Sequence, residues 1–112
     1  MSLHFATSTP KKLLDAFKKA IDDGKVVTWS YDTDNDFTHT AQQWKSLAWL
    51  RPRVVEGKDL IFSIVKPTNG KISTEVYAVY HGRFIESMLV HCDSMFTDAR
   101  ATSLPADGDI VA

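Results

Sequence analysis

A titratable ring, a bare glycine backbone and a guanidinium stand side by side at His81-Gly82-Arg83. Ahead of them Ile72, Thr74, Val76, Ala78 and Tyr80 alternate with more polar neighbours at the two-residue period of a strand. Beyond them Ile85, Met88, Leu89, Cys92, Met95 and Phe96 recur at the spacing of an amphipathic helix. Gly82 is therefore expected to turn the chain from strand to helix, where free helix N–H groups and the Arg83 charge would hold a carboxylate or phosphate. Neither a G-x-G-x-x-G nor a G-x-x-x-x-G-K-[ST] pattern occurs, so this is a candidate anion site without a nucleotide fingerprint. The plainer account is a solvated turn with a surface arginine.

Aromatic and basic residues interleave from Trp44 to Arg53. On a strand over residues 47–55, Trp49, Arg51 and Arg53 share one face, with Trp44 just before it. Trp and Arg dominate the hot spots of protein interfaces, and the same types stack bases and contact phosphates. The balance of 13 basic against 14 acidic residues gives a net charge of -1, and no nucleic-acid-binding motif is present. A protein partner or self-association is thus the expected use of Trp44, Trp49, Arg51 and Arg53. Single-stranded nucleic-acid binding through Trp49, Arg51 and Arg53 is a second alternative.

His91-Cys92-Asp93 is chemically tempting, but on a helix Cys92 falls in the apolar stripe while His91 faces out, about 100° away. A buried thiol is a poor nucleophile. Asp32, Asp34 and Asp36 have the alternating oxygens of a calcium loop, yet Phe37 and Gln43 stand where that loop needs Gly and Glu. A solvated turn is expected there. One cysteine with His4, His39, His81 and His91 lacks the close paired spacings of structural zinc sites. No G-x-S-x-G is present and the acids are scattered. No catalytic residue, metal or cofactor is expected, and the leading expectation is a non-catalytic binding or protein-interaction domain. The competing class is a small enzyme or anionic small-molecule binder at His81, Gly82 and Arg83.

The elements that must position these residues read as α-β-β-β-β-β-α. Thr9 and Pro10 predict a helix start, with Thr9 as N-cap, and Gly24 its end; Asp15 and Lys19 are spaced for an ion pair. Strands are expected over residues 25–31, 37–40, 47–55, 60–65 and 72–80, while residues 41–46 take no assignment. Pro52 predicts an edge or bulge because it cannot donate to a ladder. Pro67-Thr68-Asn69-Gly70 predicts a type I′ hairpin. These features give an α+β fold: an antiparallel sheet of four to five strands with both helices on one face, in a single domain over residues 1–112. Residues 1–8 are expected to be a loose lead-in and residues 98–112 a mostly irregular tail.

A lone cysteine cannot form an internal disulfide, which fits a reducing compartment. The first residues lack a signal-peptide pattern, and no run of about 18 apolar residues would span a membrane. A soluble, cytoplasmic protein is the expectation.

Overall fold

The computed structural model describes residues 2–112. Leu3 and Phe5 alternate with His4 and Ala6 in β1 (Ser2–Ala6), so one side of this short strand is fully apolar. Pro10 opens α1 (Pro10–Asp22), whose Leu13 and Phe17 turn inward. Gly24, at φ 76°, ends the helix in the left-handed conformation glycine tolerates, and its N–H reaches the Ile21 carbonyl. Strands β2 (Trp29–Tyr31) and β3 (Phe37–His39) form a short hairpin. In its turn the Asp32 carboxylate accepts the backbone N–H groups of Asp34 and Asp36. β4 (Trp49–Val55) and β5 (Asp59–Val65) pair along their whole length. After α2 (Thr74–Cys92) and a 3-10 turn over Asp93–Met95, β6 (Asp98–Ala101) returns to the sheet.

The sheet is antiparallel with six strands in the order β2-β3-β4-β5-β1-β6. Phe17 of α1 and Phe84 of α2 meet with ring centroids 5.1 Å apart. Phe84 also packs on Phe5, Phe37 and Phe62 from three strands and on Trp29 at 4.9 Å. Both helices therefore lie on the same side of the sheet, over a core of edge-to-face aromatic rings.

Several expectations need correction. The period-two pattern over residues 72–80 belongs not to a strand but to the first third of α2. Ser73 caps that helix by accepting the Val76 N–H. The helix ends at Cys92 rather than Phe96. Pro67–Gly70 is a turn leading into a helix, not a hairpin. The lead-in contains β1, which lies inside the sheet between β5 and β6; residue 1 of that stretch is outside the described residues. The tail contains β6 and, at Ile110, a bridge to Val65. Hence the sheet has six strands where four to five were expected.

Smaller differences have simple causes. The strand expected from residue 25 begins only at Trp29, so Val26 enters the core while Val27 is exposed. Thr9 makes no side-chain cap; its own N–H goes to the Thr7 hydroxyl. Asp15 pairs with Lys11, and Lys19 with Asp23, instead of with each other. β3 pairs with β4 only at Phe37 with Leu50, so among the described residues no strand pairs with β4 on that side past Leu50, and Pro52 occupies this open edge.

Candidate functional site

Alternation along β4 decides which way its aromatic and basic residues point. Leu50 is buried and Val54 packs on the core, so Trp49, Arg51 and Arg53 project from the side of the sheet away from the helices. Trp49 is half-buried and lies outside the core cluster, whereas Trp29 is within it. Trp44 stands apart from this group. It lies in the turn between β3 and β4, packs against the core, and its carbonyl accepts the Tyr80 hydroxyl.

Register extends the face across the sheet. Arg53 is opposite Ile61, Ile61 opposite His4, and His4 opposite Arg100, which makes one row over four strands. At a strand spacing near 4.8 Å, the two arginines stand about 14 Å apart with His4 between them. The next row, Val55, Asp59, Ala6 and Asp98, carries two carboxylates. On the other side Arg51, Ser63 and Ser2 are aligned. Gly108 of the tail lies against the Ser63 hydroxyl and closes that end of the face.

The charges in these rows are not equivalent. Arg51 makes a bidentate pair with Asp36, Nε and Nη2 each 3.1 Å from a carboxylate oxygen. Asp36 is buried and Arg51 half-exposed, so this arginine is committed to its own chain. Arg53 and Arg100 are exposed and form no ion pair among the described residues. Between them, the His4 pKa lies below the ordinary 6.5: burial disfavours the charged ring, and the Arg100 and Arg53 charges and Lys58 add to that against the opposing pull of Asp59. His4 Nδ1 is buried without a hydrogen-bond partner in the described residues. A small cleft beside it is lined by Ala6, Asp59, Asp98 and Arg100.

The strand-to-helix turn on which an anion site was expected at His81-Gly82-Arg83 is not present. All three lie inside α2, more than a turn from its N-terminus, so none faces free helix N–H groups. His81 is buried, its Nδ1 2.8 Å from the Tyr77 carbonyl and its ring stacked on Tyr77. Arg83 is exposed on the other side of the helix. Cys92 is buried, and burial followed by the Asp93 charge raises its pKa, which disfavours the nucleophilic thiolate. No group of three metal-ligating side chains occurs among the described residues. Among the described residues no helix is long and apolar enough to cross a membrane.

Sequence reasoning placed Trp49, Arg51 and Arg53 on one face but missed His4 and Arg100, which come from the expected lead-in and tail. The one signal for β1 was the alternation Leu3, His4, Phe5, too short to separate a strand from a loop. No family model matches the chain, and no curated protein or solved structure matches it.

Proposed function

We propose that this chain is a non-catalytic binding domain whose contact surface is the helix-free side of its sheet, and that its partner is an acidic protein segment. One observation supports this above all: Arg53, Ile61, His4 and Arg100 form one row across β4, β5, β1 and β6 with an exposed arginine at each end, half-buried Trp49 lies two rows along β4, and neither arginine has an ion pair among the described residues. An acidic segment lying across the strands meets both charges, and one that then turns along β4 past Arg51 also reaches Trp49, about 13 Å from Arg53; Arg and Trp together are typical of interface hot spots. Arg51 serves this surface indirectly, because its pairing with Asp36 fixes the β3–β4 edge.

The test is an amide chemical-shift titration of the isotope-labelled protein with an oligoglutamate peptide, an oligolysine peptide and a single-stranded oligonucleotide. The proposal expects oligoglutamate alone to shift residues of β4, β1 and β6, among them Trp49, Arg53, His4 and Arg100. Shifts confined to other surfaces, or a response to the oligonucleotide that falls steeply with salt, would overturn it.

A further inference from the structure

The outer side of α2 is unusual for a surface helix. Tyr77, Tyr80, Phe84 and Met88 point into the core. At 100° per residue, Val79, Arg83, Glu86 and Val90 fall on the opposite side. A helix packed by one face normally carries polar residues along the other. Here Leu89 is 49% and Val90 69% exposed, and Ala78, Val79, Gly82, Arg83 and Glu86 line one shallow depression. Gly82 has nothing within 4 Å of where a Cβ would stand, so a second backbone can approach closely there.

The order of residues along this stripe is self-complementary. Val79, Arg83, Glu86 and Val90 are spaced by four, three and four, the seam spacing of paired helices. Two copies of α2 laid antiparallel, with a two-fold axis level with residues 84 and 85, put Val79 against Val90 of the second copy. The same register puts Arg83 against Glu86, and the axis repeats each contact. Neither Arg83 nor Glu86 has a hydrogen bond or ion pair within the described residues, so both charges are available to a partner. We infer that the exposed stripe of α2 docks a second copy of this chain in an antiparallel, two-fold pairing fixed by Val79–Val90 and Arg83–Glu86 contacts. This surface is separate from the sheet face and does not rest on the function proposed for it. A helix of 19 residues is about 28 Å long, and such a pair covers less than a standard interface, so the dimer forms in a concentration-dependent way.

Sedimentation equilibrium over a range of protein concentrations tests the inference. Wild type is expected to dimerise, and Arg83→Glu or Glu86→Arg each to raise the dissociation constant by about tenfold or more. Mixing the two single variants pairs a chain that is acidic at both positions 83 and 86 with a chain that is basic at both. Dimers are therefore expected to return in the mixture, and likewise in the double variant R83E/E86R. A wild type that stays monomeric, single variants that dimerise as wild type does, or a mixture that remains monomeric would each overturn the inference. Amide shifts of wild type on dilution supply a measurement free of substitutions: movement centred on residues 79–90 supports the pairing, and movement elsewhere contradicts it.

Discussion

Asp36 and Arg51 show how one pair of side chains can look like surface and act as structure. Asp36 is 6% exposed, and its carboxylate depends on the guanidinium for both of its charge-assisted bonds. Arg51→Ala strands that buried charge, and it is expected to lower unfolding stability by about 1–2 kcal/mol, the lower end for a lost buried partner because Arg51 itself is half-exposed. Arg53→Ala, two residues along the same face, is expected to change stability by less than about 0.5 kcal/mol. Urea unfolding of the two variants separates these roles. From sequence, both arginines were legible as one face, but nothing local reveals that Arg51 has a partner 15 residues earlier. His39 carries a pH signature of its own. It is buried, its Nδ1 accepts the Ala41 N–H, and burial together with the Arg83 charge holds its pKa below 6.5. The unfolded ring therefore takes up a proton before the folded one does. Stability is full above about pH 6.5 and is lost as pH falls from there towards the folded pKa. His4 adds to the same trend. The melting temperature is expected to fall between pH 7.5 and 5.5, and less steeply in His39→Asn, whose Oδ1 can still accept the Ala41 N–H.

At the scale of elements, α2 explains where the sequence misled. Its residues are apolar on nearly every side, so Ile72, Thr74, Val76, Ala78 and Tyr80 satisfy a period of two while Tyr77, Tyr80, Phe84 and Met88 satisfy 3.6. The local cue that decides for the helix is Ser73 with Glu75 in the first turn, a cap and an acid where the helix dipole favours one. Gly82 looked like a breaker, yet its φ is ordinary and it sits mid-helix on the exposed side. Gly82→Ala is accordingly expected to stabilise the fold by about 0.5–1 kcal/mol in thermal unfolding at low protein concentration. A strand-to-helix turn at this position would instead lose stability. The first helix was readable because its stripe is narrow, Pro10 marks its start and Gly24 its stop. β1 and β6 were not, because each is five residues or fewer and gains its identity only from pairing far along the chain.

Over the whole molecule, the fold separates two surfaces by giving the helices one side of the sheet and leaving the other to β4, β5, β1 and β6. The separation depends on the aromatic core centred on Phe84, which touches the rings of Phe5, Phe17, Trp29, Phe37 and Phe62. Phe84→Ala is expected to cost about 3–5 kcal/mol, enough to remove most of the stability of a domain this size. The overall α+β class with two helices was legible from patterning, while the closing of the sheet by its termini was not. That closing is what brings His4 and Arg100 into line with Arg53. The most direct test of the claim that this row is a binding surface is the affinity for an oligoglutamate peptide, measured by isothermal titration on wild type and on the double variant Arg53→Glu with Arg100→Glu. Wild type should bind, and the variant should lose binding with an unchanged melting temperature. Equal affinity in the two proteins, or no binding by wild type, would contradict it.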